Sequence, residues 1–241
     1  MVKSRTTTGA TIILALAMLA WPVLAQAGNA PAVGGRMAPS PDVSAPSLDF
    51  PLSSPARPRR ANFLGETSSA DAQRVADWVV ASADNDGLSF VIVDKIRAEV
   101  FVFDSEGQLL GAAPVLLGAA RGDDSVPGIG NLKLSSIPPD ERTTPAGRFL
   151  AEPGRDLVND VLWIDYGASL ALHRVVRGSP GAHRLQRLAT GSPSDKRITY
   201  GCVEVSLKFY DDVVQKTFTG KAGIVYILPE IKTIQDVFPK A

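Results

Sequence analysis

Hydrophobic and polar positions along this chain change period several times. Residues 11–24, "TIILALAMLAWPVL", are almost continuously apolar. From Gly28 to about Ala61 proline, serine and alanine dominate and no apolar period persists. In "SSADAQRVADWVVASADNDG" Ala72, Val75, Val79 and Ala83 fall on one helical stripe. Ser68 or Ser69 is the expected N-cap, with Gly87 beyond the end. After Gly87 the period becomes two: "LSFVIVDKIRAEVFVFDSEGQLLGAAPVLLG" reads strand, turn, strand, turn, strand. Its turn signals are Asp94-Lys95 and Ser105-Glu106-Gly107. Further strand-like runs are "GRFLAEP", "VLWIDYG", "SLALHRV", "GCVEV" and "GIVYILP". One helix fits between the last two, in "SLKFYDDVVQKTF", with Ser206 as N-cap and Leu207, Tyr210, Val214 and Phe218 on one side. The expected fold class is mostly β with a few helices.

The first apolar run follows Lys3 and Arg5 and closes on Ala25-Gln26-Ala27, the three-part layout of a secretory signal peptide. It is shorter than the ~20 residues that span a bilayer, and Pro22 interrupts it. An uncleaved anchor is the alternative. The expected organisation is a signal peptide at 1–27, a Pro/Ser/Ala-rich disordered linker at 28–67 and one domain at 68–241, with no membrane span after cleavage. A segment such as the linker buries too little surface to offset its ordering entropy.

The formal net charge is zero, which removes any electrostatic case for nucleic acid. The chain holds one cysteine and two histidines. A single thiol in an exported protein forms no internal disulfide, so Cys202 is either buried and inert or chemically employed. A thiol nucleophile needs a base, and only His173 and His183 have a suitable pKa. His173 ends an alternating apolar run and should be held rigidly by a strand. His183 follows a Ser-Pro-Gly turn. Rigid placement favours His173 as the base. Gly201 allows close backbone approach beside the thiol, or marks a bulge. Two histidines and one cysteine make a poor metal-ligand set, so neither metal nor cofactor is expected. "RGD" at Arg121–Asp123 is too short to carry meaning by itself.

These residues resemble the L,D-transpeptidase catalytic domain family (YkuD-like). "FVIVDKIRAEVFVFDSEGQLLGAAPV" is similar to its first hairpin, and Thr143–Phe149, "TTPAGRF", matches its T-P-x-G-x-F element. "HRV" with the later "TYGCVEV" stands where the family has its histidine and its S-H-G-C segment. The likeness spans roughly residues 88–230. It implies a β-sandwich or barrel domain and a cysteine acyl-transferase acting on peptidoglycan stem peptides through a thioester. Cys202 would be the nucleophile, His173 the base, and the backbone N–H groups of Tyr200, Gly201 and Cys202 the oxyanion hole. The chain departs from the family in carrying Tyr200 for the motif histidine (YGC for HGC), Glu204 for the common Arg or Asn, and a longer gap between His173 and Cys202.

The extra residues read as an inserted loop. Between His173 and Ile198 it carries Arg174, Arg177, Arg184, Arg187, Lys196 and Arg197 against one acid, Asp195. A basic lid could hold substrate carboxylates; a solvated surface loop is the plain alternative. Arg174, Arg197 and Glu204 are the candidate substrate-binding residues, with Arg174 or Arg197 neutralising Glu204. The expected protein is a monomeric, periplasmic or cell-envelope acyl-transferase. The alternatives are a diverged wall-binding domain of the same fold and a carboxypeptidase-type thiol hydrolase.

Overall fold

A computed structural model describes residues 59–156, 159–175 and 183–241. The expected signal peptide, the linker up to residue 58 and Arg177 lie outside the described residues. The structure is mostly β, with few and short helices.

Helix α1, Ala70–Ser82, starts where Ser69 accepts a hydrogen bond from Ala72 N at 3.0 Å. Ala72, Val75 and Val79 are fully buried, and each valine contributes about 1.5–3 kcal/mol of apolar burial. Ala83, expected on that stripe, instead caps the helix at φ 55° and is exposed. The folded domain also begins earlier than Ser68, a correction to the linker boundary. Phe63 packs edge-on to Phe101 and Phe103, and Asn62 N–H donates to Gly107 O at 2.8 Å. The proline-rich context hid this one aromatic anchor.

Strands β1 (Phe90–Asp94), β2 (Glu99–Phe103) and β3 (Leu109–Pro114) form the first antiparallel unit. β1 and β2 are buried on both faces: Val91, Val93, Val100 and Val102 enter the main core, while Phe90, Ile92, Phe101 and Phe103 pack with α1. The period-two signal is therefore valine against aromatic rather than apolar against polar. β4 (Leu117–Gly118), β5 (Gly147–Asp156), β6 (Asn159–Asp165), β7 (Leu170–Arg174), β8 (Arg197–Thr199), β9 (Val203–Val205) and β10 (Gly223–Ile227) follow. The main sheet runs β3-β2-β1-β10-β5-β6-β7-β9, and β4 pairs with β8. Directly after β3, Leu116 exchanges backbone hydrogen bonds with Glu204 of β9, at 2.8 and 2.9 Å. The two edges of the sheet thereby meet, which nearly closes it into a barrel and leaves few open edge groups.

The helical segment after β9 is α3 (Leu207–Phe209), a π turn (Tyr210–Val214) and α4 (Gln215–Phe218), capped by Ser206. The wider turn shifts the helical phase. Phe209, Tyr210, Val214 and Phe218 are buried, whereas Leu207, expected on that face, is 50% exposed. The inserted loop adds α2, Arg184–Ala189, whose Leu188 packs with Leu116 and Val175.

Candidate active site

β7 runs parallel to β9 with Leu172 opposite Val203 and His173 opposite Glu204. Leu172, Val203 and Val205 fill the core. Alternation then puts His173, Cys202 and Glu204 together on the other face. His173 thereby stands beside Cys202, whose side chain favours the charged imidazole. Its Nδ1 lies 2.8 Å from Arg174 O; an N–H there donates to the carbonyl and fixes the ring, leaving Nε2 for sulfur. Burial pulls the His173 pKa down, but the hydrogen bond and charge of Cys202, then the Arg174 carbonyl and Glu204, outweigh it. The net result is a rise from 6.5 to about 9. His183 is exposed at the start of α2. The structure thus places His173, and not His183, against the thiol.

Three loops converge on Cys202. Gly201 has φ +137°, and a Cβ there would lie 2.8 Å from Thr143 O. Only glycine fits this turn, because both the dihedral and the space exclude a side chain. Thr144 is fully buried and its Oγ1 donates to Gly201 O at 2.7 Å while accepting from Gly118 N at 2.9 Å. The "TTPAGRF" and "YGC" segments are therefore halves of one packed unit. Ser169, in the β6–β7 turn, brings its carbonyl within 3.4 Å of Cys202 Sγ. Its hydroxyl donates to Gly130 O.

A cleft of about 210 Å³ opens beside the half-buried Cys202. Ile129, Leu132, Leu134 and Ile137 form one wall, and Thr143, Ser169 and Tyr200 add polar edges. Among the described residues no lysine or arginine lines it. His173 also lines a separate cleft of about 350 Å³ with Asp160 and Arg174.

The anticipated oxyanion donors fare unequally. Gly201 N–H is taken by Thr199 Oγ1 at 3.1 Å, whose hydroxyl in turn donates to Cys202 O at 2.7 Å. Among the described residues the N–H groups of Tyr200 and Cys202 have no hydrogen-bond partner. The ring of Tyr200 lies under the Arg142 guanidinium, 4.4 Å from the ring centroid.

The described basic residues of the loop are engaged elsewhere. Arg174 binds Asp160 at 2.8 Å and Asp211 and stacks over Tyr210. Arg197 binds Glu230. Lys196 donates to Thr190 O and Arg187 to Asp195 O. The partner of Glu204 is Arg184, rather than Arg174 or Arg197. Arg184 lies one helical turn before Leu188, so docking of that leucine carries the guanidinium over the carboxylate. Glu204 Oε2 is buried without a hydrogen-bond partner. Sequence reasoning placed Arg184 in the basic loop but not against Glu204, because a six-residue helix in an insertion gives no periodic signal.

A second buried cluster underlies the site. Lys95, in the β1–β2 turn, is fully buried and donates to Gly122 O, Asp123 Oδ1 and Thr144 O at 2.6–2.7 Å. Three acceptors need three N–H donors, so Lys95 is an ammonium, although burial pulls its pKa down. Asp123 accepts from the backbone of Glu230, Ile231 and Lys232. The "RGD" segment is thus a structural anchor. Its buried aspartate carried no mark in the sequence.

No family model matches this sequence, and no curated protein matches it. Solved structures resemble it at low identity. One is the helical cell shape determining protein Pgp2 from Campylobacter jejuni, with TM-score 0.39, 14% identity, 61% of this chain and 49% of that one. The present chain therefore spans about half the length of that protein. Others are the catalytic domain of an E. faecium L,D-transpeptidase and an L,D-transpeptidase from Mycobacterium smegmatis. The E. faecium domain gives TM-score 0.37, 15% identity, 58% of this chain and 96% of that one. The Mycobacterium protein gives 0.32, 16%, 58% and 58%.

Proposed function

We propose that this chain is an exported cysteine acyl-transferase of the L,D-transpeptidase type, working on peptidoglycan stem peptides in the cell envelope. The observation that carries the reading is the placement of His173 beside Cys202 by the β7–β9 pairing, with Cys202 lining a cleft and the imidazole pushed up to about 9. A histidine beside sulfur supports a base that takes the thiol proton on attack and, as imidazolium, an acid for the leaving amine.

In this reading Cys202 Sγ attacks a stem-peptide carbonyl, forming the C–S bond as the carbonyl oxygen takes the negative charge. Two preorganised donors, the N–H groups of Tyr200 and Cys202, stabilise that oxyanion. Collapse breaks the C–N bond, and imidazolium His173 gives its proton to the leaving amine. An incoming amine then attacks the thioester, neutral His173 takes its proton, and the thiolate is released. Water in place of the amine gives hydrolysis. Signal-peptide layout at 1–27 and the Pro/Ser/Ala-rich spacer support the envelope location, since a tethered or secreted domain needs reach toward an insoluble polymer.

The test is incubation of the mature protein with a tetrapeptide stem and a D-amino acid, followed by mass spectrometry of protein and products. A thioester on Cys202 and an exchanged terminal residue are expected. Loss of the terminal residue without exchange would make the protein a hydrolase. No adduct on a freely alkylatable Cys202 would overturn the reading.

A further inference from the structure

Cys202 N–H is a useful oxyanion donor only if its peptide plane is held in one orientation. A trans peptide is planar, with its C=O and N–H pointing to opposite sides, and the described chain contains no cis peptide bond. Fixing Gly201 O therefore aims Cys202 N–H. The group that fixes it is the hydroxyl of Thr144, at 2.7 Å and fully buried. Its single proton goes to Gly201 O, because a lone pair is already used by Gly118 N–H. Thr144 cannot drift, since its own carbonyl accepts from the Lys95 ammonium at 2.7 Å. Lys95 is held by Asp123, and Asp123 by three consecutive backbone N–H groups. The chain of contacts runs unbroken from residues 230–232 to the peptide beside the nucleophile.

We propose that Thr144, anchored through its carbonyl by Lys95, is a positioning residue: it turns the Gly201–Cys202 peptide so that Cys202 N–H faces away from the buried Thr144, toward the cleft that Gly201 and Cys202 line. Cleft and thiol make this placement useful; Thr199 Oγ1 holds the flanking Gly201 N–H and Cys202 O, but the Thr144 hydroxyl is the side-chain contact on the Gly201–Cys202 peptide itself, beside the most permissive residue of the turn. A packing role alone predicts differently. Valine nearly matches threonine in shape and would preserve packing while removing the hydrogen bond. Serine would keep the bond and lose a methyl group.

The inference rests on the proposed acyl-transfer reading, but its test does not depend on it alone. In full-length protein, Thr144→Val and Thr144→Ser are compared with the parent by three measurements. The first is the 15N order parameter of the Cys202 amide, expected near ~0.85 in the parent and below ~0.6 in Thr144→Val, with recovery in Thr144→Ser. The second is alkylation of Cys202 by iodoacetamide, which needs thiolate but no oxyanion donor and should change less than about twofold. The third is thioester formation with the stem tetrapeptide, expected to fall about 100-fold in Thr144→Val, as for loss of one oxyanion donor, and to return in Thr144→Ser. Thr144→Ala serves if Thr144→Val does not fold, with the same expectations. An unchanged order parameter, or equal losses in alkylation and acylation, would overturn the proposal. A responsive order parameter in a protein that never acylates would support the positioning and sink the acyl-transfer reading instead.

Discussion

Replacing Cys202 by alanine should release the proton that His173 holds. In the intact site the imidazole moves from 6.5 to about 9. That corresponds to about 3 kcal/mol of preference for the charged ring, at 1.36 kcal/mol per pKa unit. Burial is the largest single influence and acts downward; the hydrogen bond and charge of Cys202 head the influences that act upward. Removing the sulfur leaves the Arg174 carbonyl and Glu204 to oppose burial alone. The midpoint of His173 in Cys202→Ala should therefore drop to 6.5 or below, a fall of at least about 2 pH units. The assay is NMR titration of the imidazole side chains, and the chain contains only two. The sign carries to activity: a raised pKa keeps the ring protonated below about 9 and strips it above. Acylation, which needs imidazolium to protonate the leaving amine, should fall as pH rises through about 9. A parent His173 that titrates between 6 and 7, or an elevated midpoint that survives Cys202→Ala, would refute the assignment of the shift to Cys202.

Four further outcomes follow from the same geometry. His183→Ala should leave thioester formation within about threefold, while His173→Ala lowers it by at least about 100-fold with unchanged circular dichroism; the opposite pattern would move the base to the loop. Tyr200→Phe should keep most activity, because Arg142 stacks on the ring face and not on the hydroxyl; complete loss of acylation would put the phenol in the chemistry. Arg184→Met should cost about 3–5 kcal/mol in urea unfolding by stranding the buried Glu204 carboxylate, and Arg184→Met/Glu204→Leu should recover much of it; additive losses would deny the pairing. Asp123 is pushed up by burial, but backbone N–H groups of Lys232, Glu230 and Ile231 and the Lys95 ammonium outweigh this and hold it at about 2. A depressed carboxylate stabilises above its ordinary 3.8 and loses that contribution as pH falls through about 2, so about 2 kcal/mol should disappear across that window. Asp123→Asn should abolish this acid limb, and an unaltered limb would place the effect elsewhere.

Local pattern determined much of this protein. Alternation located nearly every long strand, Ser69 and Ser206 marked their helix starts, and the lone thiol beside a glycine marked the candidate nucleophile. These features depend on residues near in sequence, whose side-chain direction follows from backbone period alone. The strand-borne position of His173 belongs with them, since rigidity could be read from the run that carries it. Tertiary structure decided the rest. The parallel pairing of β7 with β9 brings His173 to Cys202 across an insertion, and no local period encodes which strands pair. The choice of Arg184 as partner for Glu204, the loss of Gly201 N–H to Thr199 and the burial of Lys95 all depend on groups far apart in the chain. Charge and hydrogen-bonding capacity are written in the residue type, but which group receives them is a matter of distance. Distance is set only when the barrel closes, because Leu116 meets Glu204 there and folds the thiol, His173 and the Lys95–Thr144 anchor onto one another.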